Sequence, residues 1–224
     1  MNYQTALNKL WTEVSYRKLF KLKNFFQDLI LLQRYDLRFI SPEKLKIAFD
    51  SHLLPDCANC PENCCHGAEN TVSLRLIDIA RLLDANLAEA IDLDNRSFRQ
   101  DKYFKKNPHA LRLVSNDSWK FFPVLKRVNN ICPYLDKDNR CSIYQHRPIT
   151  CRRFPYIITS DKKNIVFSQK CHKTKLTNNK NQQETLLNAA IDSYNEKIKD
   201  LILLHYARKE LSKIGLIKYL NITE

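Results

Sequence analysis

Glycine is nearly missing from this chain, with two in 224 residues. No G-x-G-x-x-G and no G-x-x-x-x-G-K-[ST] can be written from it, so Rossmann-type and Walker-type nucleotide sites are excluded as motifs. Long apolar runs are missing too. The longest local candidates, Leu29–Leu32 and Leu201–Leu204, are four residues each, far short of the roughly 18 that a membrane span needs. Met1–Leu10 has neither the basic start nor the apolar centre of a secretory signal. These absences predict a soluble, cytoplasmic protein with no membrane span. What is present suffices for a core: 44% hydrophobic and 10% aromatic residues, which rules out disordered and collagen-like classes.

The eight cysteines carry the strongest signal. In a reducing compartment disulfides do not persist, and clustered cysteines point to metal binding or catalysis. Cys57, Cys60, Cys64 and Cys65 lie within nine residues; Cys132, Cys141 and Cys151 follow at intervals of nine and ten; Cys171 closes the set. None falls in 1–56 or 172–224, an avoidance that scattered core cysteines would not show.

The chain carries +13 formally. Residues 1–50 carry +4, 51–100 carry −4, 101–150 carry +6 and 151–224 carry +7. The positive excess thus accompanies the later cysteines. It suits compensation of bound thiolates, since four around one Zn²⁺ leave a net negative charge. It also suits attraction of a polyanion such as nucleic acid, with Arg17, Lys18, Lys21 and Lys23 as a basic stripe.

Apolar spacing predicts helix over residues 3–34, with Leu7, Leu10, Trp11 and Val14 on one face. Ser41-Pro42 predicts a helix start, running to about Leu54 and stopped by Pro55. Ser73 is expected to cap a helix holding Leu74, Ile77, Leu82 and Leu83, with a further short helix near Leu87–Leu93. Asp78 has an ordinary surface explanation on that helix. Leu111–Val114 and Phe121–Val128 read as strands, and Ile157–Thr159 with Ile165–Phe167 as a hairpin across Ser160–Asn164. A polar linker over 172–183 precedes a long helix over about Glu184–Leu211. The expected class is α+β and predominantly helical, with a small antiparallel sheet and a loop-rich cysteine centre framed by terminal helices. The expected organisation is a helical segment 1–54, a cysteine-bearing domain 55–172, and a linker with helices packing on that domain over 173–224.

In Cys57-Ala-Asn-Cys60-Pro-Glu-Asn-Cys64-Cys65 the C-x-x-C piece turns two sulfurs toward one ion. The adjacent pair is harder to place, because neighbouring side chains diverge in both strand and helix. Cys64 and Cys65 are therefore expected to serve two centres, or one as ligand and the other as a reactive thiol. His66 and His172 are substitute ligands or ordinary surface histidines. The later stretch interleaves Cys132, Cys141 and Cys151 with arginine and proline. Arg147, Arg152 and Arg153 can neutralise thiolates or donate to sulfur.

The first cysteine group, the Val72/Leu74/Asp78/Ile79 segment, and the run C-P-x-L … R-C-x-I-Y-x-x-R-P-x-x-C-R-x-F-P … C resemble the CxxCxxCC, YkgJ-type cysteine-cluster family over about residues 55–172. That resemblance implies a zinc- or iron-chelating domain in which all eight cysteines, Cys57, Cys60, Cys64, Cys65, Cys132, Cys141, Cys151 and Cys171, bind metal. Beside them it places Arg147, Arg152 and Tyr144. A more distant likeness, to flagellin lysine N-methylases, implies S-adenosylmethionine-dependent methyl transfer, but Tyr144 and Arg147-Pro148 follow the main family.

All-sulfur donors suit zinc or iron–sulfur clusters and not magnesium or calcium. A single knuckle with widely spaced later cysteines fits a cluster as well as an ion; the adjacent cysteine pair and the arginine-rich surroundings favour an iron–sulfur cluster over zinc, with mononuclear iron third. Three functions compete: a metal-cluster protein with redox or group-transfer activity on an unnamed small-molecule or protein substrate, a non-catalytic zinc domain for a protein partner, and a nucleic-acid binder. The sequence leaves open whether the protein is an enzyme.

Overall fold

The structure, a computed structural model, describes residues 2–15, 37–50, 52–60, 64–66, 71–94 and 122–220. The helix expected over 16–34, the basic stripe from Arg17 to Lys23 and the strand at Leu111–Val114 lie outside the described residues. Among those described are five α-helices and seven short strands, an α+β fold. The chain divides into two compact units, each discontinuous in sequence.

The first unit comprises Met1–Phe39, Leu74–Val124 and Glu196–Glu224. Helix α1 (Tyr3–Val14) starts at Asn2, whose side chain accepts the Thr5 N–H at 2.8 Å. Its buried Leu7, Leu10 and Val14, spaced three and four apart, pack on α2 (Leu76–Asp84). In α2 the residues Leu76, Ile79, Ala80, Leu82 and Leu83 are buried. Ser73 does not cap this helix. The Leu74 N–H is taken by the Pro123 carbonyl at 2.9 Å, so the chain stays extended to Arg75. Asp78 then closes the helix start by accepting the Arg75 N–H at 3.0 Å, and it pairs with Arg81 at 3.2 Å. It is 0% exposed, which overturns its surface reading. The helix expected near Leu87–Leu93 is a 3₁₀ turn (Ala88–Ala90) leading into strand β3 (Ile91–Asp94). That strand pairs with β4 (Phe122–Leu125).

The second unit comprises Ile40–Ser73 and Leu125–Asn195. The helix expected from Ser41 is a single 3₁₀ turn, Pro42–Lys44, without a side-chain cap. Beyond it the Lys46 and Ala48 N–H groups donate to the Lys163 and Ile165 carbonyls, both at 2.9 Å. Pairing in a sheet thus overrides the helix-start signal. Strand β1 (Lys46–Ile47) lies parallel to β6 (Asn164–Phe167), and β6 is antiparallel to β5 (Tyr156–Ile158). This is the expected hairpin with one further strand. Its buried Tyr156 and Ile165 pack with Ala190 and Ile191, and Phe49 and Phe167 lie against them.

Pro55 ends a strand and not a helix: β2 (Leu53–Pro55) pairs antiparallel with β7 (Thr174–Leu176). The expected linker therefore contains a strand. Helix α4 (Lys180–Tyr206) begins inside the polar run because Asn179 accepts the Gln182 N–H at 3.2 Å, a helix cap. It stops at Tyr206, before α5 (Arg208–Lys213), and contributes residues up to Asn195 to the second unit and from Glu196 to the first. Among the described residues no helix is long and apolar enough to cross a membrane.

The start of α1 is also held by Asp84, which accepts the Tyr3 and Gln4 N–H groups at 2.6 and 2.9 Å. Burial alone would raise this carboxyl, but those bonds and the Gln4 side chain outweigh it and hold its pKa below the ordinary value. Asp84→Ala is expected to cost about 1 kcal/mol at pH 7, the worth of a helix cap. A group depressed on folding stabilises above its unfolded pKa of about 3.9 and loses that contribution as pH falls through its folded value. In urea titrations the gap between Asp84→Asn and the wild type should therefore shrink as pH falls through the folded-state value; a gap that stays constant with pH would contradict this role.

Candidate metal centre

All eight cysteines belong to the second unit, and none is in a disulfide. Two clasps bring their separate stretches together.

The first clasp is the β2–β7 ribbon. Pro55 pairs with Thr174, the Asp56 N–H donates to the Lys173 carbonyl at 3.0 Å, and Lys175 reaches the Asp56 carboxylate at 3.9 Å. Just beyond, Cys57–Asn59 form a 3₁₀ turn closed by Cys60 N–H on the Cys57 carbonyl at 3.3 Å. The Asn59 amide donates to both Asp56 oxygens, at 3.1 and 3.0 Å, which fixes the turn. This is the knuckle expected of C-x-x-C. Because Cys171 lies just before β7, the ribbon sets it beside the knuckle. One pocket is lined by Cys57, Cys60, Cys64 and Cys171 together with Phe154, Lys170, His172 and Lys173.

The second clasp is centred on the Cys65 carbonyl. It accepts the Cys132 N–H at 2.9 Å and one Arg127 guanidinium nitrogen at 3.0 Å. Arg127 also donates to the carbonyls of Asn130, at 2.9 Å, and Cys64, at 3.4 Å. The sequence reading missed Arg127. Its only signal was position, five residues before Cys132 and outside the cysteine–arginine run.

Cys132 and Cys141 flank a tight turn. Asp136 accepts the N–H groups of Asp138 and Arg140, Asn139 adopts φ 58°, and Leu135 bridges Cys141. Ser142 donates its N–H and its hydroxyl to the Tyr134 carbonyl. The turn thus folds a nine-residue spacing back on itself. The chain then passes buried Pro148 into α3 (Ile149–Arg153), which carries Cys151. Thr150 ties this helix to the Ser73 carbonyl at 3.0 Å.

The arginines expected to serve sulfur have structural work as well. Arg152 donates to the Arg147 carbonyl at 2.9 Å and to that of Gln145, and Arg153 to the Tyr156 carbonyl at 3.1 Å. The Arg147 guanidinium stacks 3.9 Å above the ring of Tyr144, which is 58% exposed. Its charge favours the thiolates of Cys57 and Cys141. His172 lines the pocket, whereas His66 is exposed beside Cys65.

The thiols interact across the stretches. The ionisation of Cys65 is coupled to that of Cys64 and of Cys132 through side-chain hydrogen bonding. Residues 64–65 form a turn and not a strand or helix. The bond from Cys65 lowers the Cys64 pKa against the opposing effects of burial and of Cys57, Cys151 and Cys171. For Cys65, the bond from Cys132 favours the thiolate, but its own bond to Cys64, burial, and the charges of Cys64 and Cys141 prevail and push it up to about 12. Donation to Cys65, then burial, raises Cys132. Burial raises Cys57 and Cys141, and burial with Cys57 nearby pushes Cys171 up to about 11. Among the described residues no three Cys, His, Asp or Glu side chains already stand as a formed ion site. The donor chemistry nonetheless fits a thiophilic metal: four cysteines, drawn from both stretches, line one pocket.

Arg127→Met is expected to destabilise the metal-free protein by about 2 kcal/mol, because three carbonyls lose a charged donor. Arg127→Lys should recover only part, since one ammonium cannot span what the guanidinium fork reaches. Denaturant titration of both variants checks this; equal stability of Arg127→Met and wild type would refute the clasp.

Residues 56–172, just over half of the chain, match the CxxCxxCC family, described as a "putative zinc- or iron-chelating domain". No curated protein and no solved structure matches the chain, and the likeness to flagellin methylases finds no support in these comparisons. The matched span begins one residue before the knuckle and ends one residue after Cys171, enclosing all eight cysteines. The chain belongs to the CxxCxxCC family.

Proposed function

We propose that this is a cytoplasmic metal protein whose cysteine thiolates hold an iron–sulfur cluster, with zinc as the second reading. One observation carries it: the 57–65 stretch meets the 132–171 stretch, through the bond from the Cys132 amide to the Cys65 carbonyl and in the pocket that Cys171 shares with Cys57, Cys60 and Cys64. Eight thiols outnumber the four of a single tetrahedral ion. Cys57, Cys60, Cys64 and Cys171 would form one side of the centre, and Cys65, Cys132 and Cys141 the other, with Cys151 close to Cys64.

Metal would draw the sulfurs into their final positions, because thiols must lose protons to bind and binding energy becomes folding energy. Arg147 is placed to offset thiolate charge, while Arg127 and Arg152 hold the loops that carry the ligands. A bound iron–sulfur centre would supply one-electron chemistry. On this reading the protein works in redox or group transfer, and the cysteines outside any disulfide suit a reducing compartment.

Protein purified anaerobically is expected to contain iron with acid-labile sulfide, a broad visible absorption band, and a paramagnetic signal on reduction. Zinc without sulfide would replace the cluster by the second reading, and protein that binds neither metal would refute both. Cys57→Ser and Cys171→Ser should each lower retained metal by about tenfold or more. Chelation should loosen the 125–195 region first, seen as faster amide exchange there.

A further inference from the structure

Among the described residues, strand β7 (Thr174–Leu176) pairs with β2 alone. In an antiparallel pair, residues that bond across the ladder alternate with residues whose backbone groups turn away from it. The Thr177 N–H donates to the His52 carbonyl at 2.9 Å, and the Asp56 N–H to that of Lys173 at 3.0 Å. Lys175, midway between them, stands opposite Leu54 in the same phase. Thr174 and Leu176 therefore turn their N–H and C=O groups to the outer edge, where no described backbone group meets them. All side chains of this strand are exposed, and Leu176 is 72% exposed, more than any other large apolar residue described. The surrounding charge has one sign. From residue 170 to residue 183 the chain holds Lys170, Lys173, Lys175 and Lys180 and no Asp or Glu. Asp56 lies 3.9 Å from Lys175 and leaves that side chain 58% exposed.

We propose that the outer edge of β7 is a docking strand for an acidic, extended segment of a partner protein, which adds a further strand to the β2–β7 ribbon. An open strand edge takes up extended chain through backbone bonds, and alternating side chains then select which chain it takes. Along this edge Lys173 and Lys175 lie on one face, and Thr174 and Leu176 on the other. A segment that alternates acidic with apolar residues sets carboxylates beside the lysines and an apolar group against Leu176. A second copy of this chain fits less well, because two β7 strands laid edge to edge bring lysines together. Nucleic acid offers phosphate acceptors but no regular row of donors for the Thr174 and Leu176 carbonyls. Lysine on an edge strand deters indiscriminate pairing, and an acidic partner turns that deterrent into selectivity. The inference uses backbone and charge alone and stands apart from the metal reading. If metal is bound, the docked segment runs beside the pocket that Cys171 lines, which brings the partner to the centre.

The test titrates the full chain into a fluorescein-labelled peptide, Ser-Glu-Val-Glu-Val-Glu-Val-Ser, and follows fluorescence anisotropy. Binding should saturate, weaken as salt rises, and slow amide exchange within residues 173–177 as read by mass spectrometry. Lys173→Glu should weaken binding about fivefold, and Leu176→Asp by at least as much. A second arm leaves the protein untouched, so misfolding of a variant cannot mimic its result. N–H groups alternate in direction along a strand, so N-methylation of one alternating set of peptide residues should abolish binding, and of the other set should spare it. A titration that does not saturate, or binding indifferent to both N-methylated sets, overturns the proposal. So does a single-stranded oligonucleotide that protects 173–177 and binds more tightly than the peptide, which makes the edge a nucleic-acid surface. Protection that appears with protein concentration alone also overturns it, because the edge then pairs with a second copy. Protein that binds the peptide but retains no metal supports this inference while the metal reading fails.

Discussion

The cysteine-bearing unit depends on one carbonyl oxygen. Cys65 presents it to the amide of Cys132 and to the guanidinium of Arg127, which joins stretches otherwise separated by the whole of α2 and the strands beyond it. A half-buried carbonyl without donors costs free energy comparable to a lost hydrogen bond. Once the turn at 64–66 forms, the chain around residues 127–132 is therefore the partner that satisfies it. Arg127 adds more than a bond: its charge also favours the Cys132 thiolate, so the group that closes the loop eases the ionisation a metal would demand.

The β2–β7 ribbon performs the complementary task for the knuckle and Cys171. A two-stranded ribbon of three-residue strands is marginal alone. Here the Tyr156 hydroxyl, on a side chain 0% exposed, donates to the Leu53 carbonyl at 2.7 Å. That bond ties the ribbon to the β5–β6 hairpin and to the packed cluster around Ile165 and Ile191. The precision of the pocket thus comes from a hydrophobic core several residues away, and the loop sequence alone does not supply it. Cys64 belongs to both arrangements, lining the pocket and offering its carbonyl to Arg127, and it is the residue that the two clasps share.

What was legible in the sequence follows from range. The C-x-x-C turn, the 157–167 hairpin and the buried stripe of α1 are local patterns, fixed by side chains a few residues apart, and the structure contains them. The helix expected from Ser41-Pro42 failed because Lys46 and Ala48 donate to residues about 117 positions later, and no local rule contains that partner. The strand at Thr174–Leu176 was read as linker for the same reason: its side chains are exposed, and its pairing runs through the backbone to residues about 120 positions earlier. Arg127 escaped notice because it acts on carbonyls, which leave no mark in a sequence. The turn between Cys132 and Cys141 did leave a mark. Asp136 and Asn139 are turn residues at the right offsets, and they explain why a nine-residue cysteine spacing closes in space.

The scarcity of glycine bears on the same loops. Tight turns need left-handed backbone, which glycine adopts most readily. Among the described residues Asn86, Asn129, Asn130, Asn139 and Lys162 take positive φ instead. Four of these five are asparagine, the side chain that best tolerates that region by bonding to nearby backbone. Asparagine permits fewer conformations than glycine, so such turns lose less entropy on folding. Asn130 then offers its carbonyl to Arg127, and Arg152 spans the carbonyls of Gln145 and Arg147 in the next loop. Part of the positive charge that accompanies the later cysteines is thereby committed to backbone oxygens. Asparagine turns and guanidinium braces together stiffen loops that glycine would have left loose, and these are the loops that carry the later cysteines.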